Sequence, residues 1–299
     1  MNDFFIKWRN KNITLLKNLS IGAKPKKLIH QLSEDLLQHF ANLNLIDNYD
    51  VYQQLMSFWM ETMQDDAYII SSIGWVDGVR LREIFQRKNE NNKLIWTETH
   101  DITLGKRRFK SELIPSKLIV NKYFTSNYNA LLKIVENSEA ITSQITEMEE
   151  EHGGDEGLFA EFDKVNKANV QKRLKDIKND VDADEERLVL EAYLKLTEQQ
   201  TEANKKIKEA NEALDKKVIE RYKTLTEDEI KQLVVDDKWM AVIERSVKTE
   251  MERISQRLTG RIKELAERYE TPLPKQTTDV AELENKVSAH LKKMGFVWS

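Results

Sequence analysis

Residues 239–269 read WMAVIERSVKTEMERISQRLTGRIKELAERY. From Trp239 or Met240 the apolar side chains fall at Ile243, Val247, Met251, Ile254, Leu258, Ile262, Leu265 and Tyr269. Steps of three and four on a 3.6-residue period predict one amphipathic helix of roughly nine turns. Polar and charged residues fill the opposite face. No other segment is patterned as strongly, so this one sets the expectation of a mainly α fold.

The signals on either side agree. Thr226 and Glu229 have the spacing of a capping box, in which each side chain satisfies the other's backbone amide. Pro272 and Pro274 stop the helix, because proline cannot continue it and forces the preceding residue extended. Beyond them Val280, Leu283, Val287, Leu291 and Met294 predict a last helix, closed by Gly295, with Phe296 and Trp298 as an aromatic tail expected to dock on its own core.

Working backwards from Leu225, Leu131, Ile134, Ser138, Ile141, Ile145 and Met148 step like a coiled-coil seam weakened by a serine. Gly153 and Gly154 should end that helix. After a second polar break at 181–186 the seam resumes with Leu190, Leu194, Thr197, Thr201 and Asn204. It continues with Ile207, Asn211, Leu214 and Val218, the three-residue step at Ile207 being a stammer. These helices are expected to return antiparallel to the first. A seam holding Ser138, Thr197, Thr201, Asn204 and Asn211 buries little apolar area, at about 25 cal/mol per Å². It either invites a partner helix or packs as a hairpin on its own domain.

Toward the N-terminus, Leu28, Ile29, Leu32, Leu36, Leu37 and Phe40 predict one helix. Val51, Leu55, Phe58, Trp59 and Met63 predict another, with Asp50 as its cap. Residues 66–115 change texture: AYIISSIGWVDG and KLIWTETHDITL are rich in β-formers and separated by a polar turn region, which suggests a small hairpin or an irregular β element. Lys106, Arg107, Arg108 and Lys110 end it as a basic cluster, either solvated or in contact with phosphate.

The expected organisation is a helical unit with a small β element over 1–115, a coiled-coil-like helical hairpin over 116–225, and C-terminal helices over 226–299.

The 299 residues include 33% charged and 40% hydrophobic ones, with only 9 Gly and 4 Pro, a balance that favours long helices. Net charge is −4, but residues 1–135 carry 19 Lys and Arg against 14 Asp and Glu, and the remainder 28 against 37. The front is therefore +5 and the rest −9. Absence of cysteine excludes disulfides, zinc–thiolate sites and thiol catalysis. No apolar run approaches the ~18 residues needed to cross a bilayer, and MNDFFIKWRNKN is too short in apolar residues for a signal segment. A soluble cytoplasmic protein is the expectation.

Motifs for catalysis do not emerge. His30, His39, His100, His152 and His290 show no metal-ligand spacing. The adjacent pairs Asp65-Asp66 and Asp236-Asp237 diverge if helical, so capping or solvated acids are favoured over an acid–base couple. There is no GxSxG elbow and no P-loop, and no two glycines are separated by one residue. The prolines follow Lys24, Ile114, Thr271 and Leu273, so an Asn-Pro-Pro-aromatic motif is absent.

These segments resemble the C-terminal part of the modification (DNA methyltransferase) subunit of bacterial type I restriction-modification systems. The likeness is carried by LIHQLSEDLL (28–37), YDVYQQLMSFWMETMQDD (49–66), LIPSKLIVNKYF (113–124) and EEEHGGDEGLFAEFDKVNKANV (149–170). It continues through LVVDDKWMAVIERSV (233–247), LTGRIKELAERYETPLP (258–274) and HLKKMGF (290–296), and so spans nearly the whole chain. In that family an adenine-specific, S-adenosylmethionine-dependent catalytic domain precedes this region, with a Gly-loop motif for the cofactor and an Asn-Pro-Pro-Tyr/Phe motif that grips the flipped adenine. Neither motif stands here, so the resemblance implies a separate domain or the product of a split gene, with no catalytic residue and no cofactor in this chain. It also implies docking onto the long helices of the DNA-specificity subunit, within a complex holding a second modification subunit, a restriction subunit and DNA.

From the residues themselves the contact face is placed on Ile243, Val247, Met251, Ile254 and Leu258, the same face being equally readable as internal core. The competing expectation is sequence-independent DNA binding by the basic front half, through Lys106, Arg107, Arg108 and Lys110 with Lys24, Lys26 and Lys27. Catalysis by this chain alone ranks last.

Overall fold

We describe the chain from a computed structural model covering residues 2–41, 46–88, 92–154, 157–160, 162, 164–178, 180, 183–270 and 273–296. The elements in order are α1 (Asn2–Lys17), α2 (Pro25–Phe40) and α3 (Asn48–Phe58), a π-helical turn Trp59–Met63, and α4 (Gln64–Gly78). Five short strands follow: β1 (Arg82–Ile84), β2 (Gln86–Lys88), β3 (Leu94–Trp96), β4 (Ile102–Leu104) and β5 (Arg107–Lys110). Next come α5 (Ser116–Tyr123), α6 (Thr125–His152), α7 (Lys167–Asp176), α8 (Asp184–Thr224) and α9 (Glu227–Lys231). A π-helical stretch Gln232–Met240 leads into α10 (Ala241–Arg268), and α11 spans Leu273–Lys293. The fold is mainly α.

Contacts group the chain into two compact units that cut across the three consecutive segments expected from sequence. One gathers 1–16, 24–64 and 240–299; the other gathers 17–23 and 65–239. Long-range packing, invisible to periodicity, joins the front helices with the C-terminal ones.

In the first unit α1 and α2 run antiparallel, with Phe4 edge-on to His39 at 5.9 Å and Asn12 donating to Asp35 at 2.6 Å. Lys11 pairs with the same carboxylate. Trp8, Leu16, Leu32, Leu36, Phe40, Val51, Leu55 and Met63 are buried. The helix α3 packs on both α2 and α10. Its cap is Asp47, which accepts from the Tyr49 amide at 2.9 Å, rather than Asp50, which lies within the first turn.

In the second unit, residues 66–78 are helical where β-formers suggest a strand. Asp66, Ala67 and Ile70 form a buried face at helical spacing, and that burial overrides local β preference. Gly74, at φ +85° and ψ 176°, kinks this helix in a conformation that only glycine adopts easily, against the Ile21 side chain. The β element is an antiparallel sheet of order β1-β5-β4, with Ile84 opposite Arg108 and Ile102 opposite Phe109, beside a two-stranded β2-β3 sheet. Trp75 Nε1 donates to the Leu19 carbonyl at 2.7 Å, and the Tyr222 hydroxyl to the Ile114 carbonyl at 2.6 Å.

The helices α6 and α8 form the antiparallel hairpin. Ser138 meets Asn204, Thr142 meets Gln200 and Glu149 meets Tyr193, so the pairing advances four and seven residues on one helix as it retreats four and seven on the other. The α6 helix ends at His152 with Gly153 as its cap. The seam is thin at its middle: Thr201, Asn204 and Asn211 are exposed, and between Tyr193 and Leu214 only Ala203 is buried on α8. Near the tip, Phe159, Val170, Ile177, Leu190 and Tyr193 close a small core with Ile141 and Ile145. The capping box of Thr226 and Glu229 is formed, both reciprocal hydrogen bonds being present.

Candidate docking face

The apolar side chains of α10 recur eleven residues apart: Ile243 and Ile254 and Leu265, Val247 and Leu258 and Tyr269, Met251 and Ile262. Eleven residues bring an α-helix almost back to the same angle, so the stripe stays on one face along the whole helix. Its first half is covered. Ile243, Val247 and Ile254 are 0%, 2% and 8% exposed, and Met251 is half-buried. The second half is bare, with Leu258, Ile262, Leu265 and Tyr269 at 44%, 58%, 40% and 68%.

This corrects the sequence expectation. Of the five residues chosen as a contact face, Ile243, Val247 and Ile254 belong to the core that α10 shares with α3, and Leu258 begins the free surface. Periodicity identifies the face but not which turns another helix covers. Ile262, Leu265 and Tyr269 lie on the same stripe, and nothing in their spacing distinguishes them from the covered residues.

The helix α11 is bare as well, with no residue buried. Leu273, Val280, Leu283, Val287 and Met294 are all more than half exposed. Gly295, at φ +87°, closes the helix, with the Phe296 amide reaching back to the Leu291 carbonyl at 3.0 Å. The expectation that the tail docks fails at Phe296, which is 60% exposed; Trp298 lies outside the described residues, as do Thr271 and Pro272. A solitary 21-residue helix with Val and Thr in its interior gains little from propensity alone, and such helices draw their stability from packing.

The basic cluster sits on the β4–β5 hairpin, and local acids consume much of its charge. Arg107 grips Glu83 with two bonds of 2.8 and 2.5 Å, and Lys110 lies 3.3 Å from Glu98. Arg108 stacks over the Trp96 ring at 4.1 Å. Lys106, at the turn, is exposed. Arg82 clasps both Glu98 and Glu112, and its hydrogen bonds hold the Glu98 carboxyl down at about 2. Lys24, Lys26 and Lys27 lie at the start of α2, in the other unit.

Neither acid pair forms a site. Asp65 is exposed, whereas Asp66 is buried with the Lys238 ammonium at 2.7 Å and Trp239 Nε1 donating at 2.7 Å. Lys238 also donates to the Leu113 carbonyl at 2.8 Å. Asp236 pairs with Lys17 and Asp237 with Lys122, each at 2.6 Å. Burial raises the Asp66 pKa above the ordinary carboxylate value against the opposing pull of Lys238 and Trp239. Nothing in the sequence marks this node, because a buried Lys-Asp pair 172 residues apart has no local pattern.

Among the described residues no three His, Asp or Glu side chains converge as a metal site requires, and no helix is long and apolar enough to cross a membrane. No protein-family model matches this chain, and neither a curated protein nor a solved structure matches it significantly.

Proposed function

We propose that this chain is a non-catalytic assembly module that presents the second half of α10 together with α11 to partner helices. One observation carries the reading: a single apolar stripe leaves its own core after Ile254 and runs on uncovered through Leu258, Ile262, Leu265 and Tyr269. A stripe of that kind suits a helix-in-groove or bundle contact, where apolar positions three and four apart interdigitate with a neighbour. In α11 the steps from Val280 to Leu283, Val287, Leu291 and Met294 have the same spacing.

The resemblance to type I modification subunits points to the long helices of the DNA-specificity subunit as the partner, and to building the adenine methyltransferase complex around DNA as the role. Titration of the chain with the specificity subunit encoded beside it tests this. Saturable binding with a large negative heat-capacity change is expected, since apolar burial gives that signature. Leu258→Asp with Ile262→Asp and Leu283→Asp should abolish it while far-UV circular dichroism stays unchanged. Undiminished affinity in that folded variant sinks the reading.

A further inference from the structure

A second feature lies in the other unit and is independent of the docking face. From Arg80 to Lys110 the sequence carries nine Lys and Arg against four Asp and Glu, a surplus of five that accounts for the whole excess of residues 1–135. Glu83 is committed to Arg107, Glu98 to Arg82 and Lys110, and Asp101 to the Ser111 amide and hydroxyl. Among the described residues no carboxylate pairs with Arg87, Lys88, Lys106 or Arg108, and the first three are exposed.

Lys106 and Arg108 line a cleft of about 410 Å³ between the two small sheets, together with Phe85, Gln86, Trp96 and the paired Glu83 and Arg107, and Arg87 and Lys88 follow Gln86 along β2. The two-residue turn Gly105-Lys106 places Lys106 at its rim. Phe85 stands between β1 and β2, 68% exposed, and no core holds it. Trp96 is capped by the Arg108 guanidinium, which leaves a flat cationic surface over the ring.

We propose that this cleft binds single-stranded nucleic acid, with Lys106, Arg87 and Lys88 neutralising successive phosphates and Phe85 stacking an unpaired base. Unneutralised cations alone fit any polyanion. The bare aromatic ring selects among them, because a base in a single strand offers a π face, a base inside a duplex hides it, and an acidic peptide has none. Arg108 on Trp96 extends the stacking platform beyond Phe85.

The test uses the whole chain and fluorescence anisotropy with a labelled oligo-dT strand, a duplex of equal length and a poly-Glu peptide. The strand is expected to bind more tightly than either competitor at low salt. Its log affinity should fall with log salt by roughly 0.7 per phosphate contacted. Phe85→Ala should weaken strand binding about 5- to 150-fold, the range of one stacked base, and Lys88→Glu with Lys106→Glu should flatten the salt slope. Phe85 is exposed, so its alanine variant folds; Tyr49→Ala, an equally exposed ring in the other unit, should leave affinity unchanged. No binding at low salt, equal or tighter binding of duplex or peptide, or a silent Phe85→Ala each overturns the proposal.

Discussion

The Lys238 ammonium lies 2.7 Å from Asp66 Oδ2, with both side chains buried and 172 residues between them. The pair joins α4 to the π-helical stretch at Gln232–Met240, and its remaining valences are met by the Leu113 carbonyl and by Trp239 Nε1. Because every partner is in place, the desolvation cost of the two charges is offset locally.

Removing one member leaves the other charged and unpaired. Asp66→Asn alone or Lys238→Met alone should destabilise the protein by about 3–5 kcal/mol. The double variant should lose less than the two singles together, since the amide oxygen introduced at position 66 still accepts from Trp239 and no orphan ammonium remains. Urea unfolding of the four proteins reads the cycle directly. Simple additivity would mean that the two groups do not depend on each other.

One stripe with two fates gives a second contrast. Ile243 is fully buried, so Ile243→Ala should cost about 2–5 kcal/mol through lost transfer energy and the cavity left behind. Ile262 lies on the same stripe but is 58% exposed, and Ile262→Ala should stay within about 0.5 kcal/mol. Thermal melts of the isolated chain distinguish them. A comparable loss at Ile262 would show that the face is covered in solution.

The legible and illegible parts of the chain divide along the same physical line. Local rules act within a turn or two, and they suffice for the capping box at Thr226, the stop at Gly153 and the hairpin partners α6 and α8. Propensity misleads at 66–78, where Asp66, Ala67 and Ile70 share a buried helical face that outweighs the β-branched composition. Long-range matters are out of its reach. That Val247 is covered while Leu265 is not depends on where the chain returns, and no periodicity encodes it. The basic cluster is visible as charge, but its company with Phe85 and Trp96 is not, because the cleft forms only when β1, β3 and β5 are assembled.

Acid should loosen the small sheet in a defined window. The Arg82 guanidinium holds Glu98 down at about 2, below its ordinary 4.5. A carboxyl whose pKa is depressed by folding contributes stability that is complete above the unfolded value and fades as pH falls toward the folded one. The contribution is therefore lost between about 4.5 and 2. Following the Glu98 carboxyl carbon by NMR should give a midpoint near 2, and Arg82→Met should return it toward 4.5. A wild-type midpoint at the ordinary value would mean that the Arg82 clasp does not persist in water.

The hairpin register can be locked covalently because the chain has no cysteine of its own. Ser138 Oγ lies 3.3 Å from Asn204 Oδ1, so these two positions face each other across the hairpin. Ser138→Cys with Asn204→Cys should crosslink under mild oxidation. Ser138→Cys with Thr197→Cys, seven residues out of step, should not. The crosslink should also raise the melting temperature, since it joins the hairpin at its thinnest stretch and closes a loop of 66 residues, worth up to about 4 kcal/mol in the chain-entropy model. Equal crosslinking of both pairs would mean that the two helices slide, with the polar contacts at Ser138 and Thr142 too weak to fix their register.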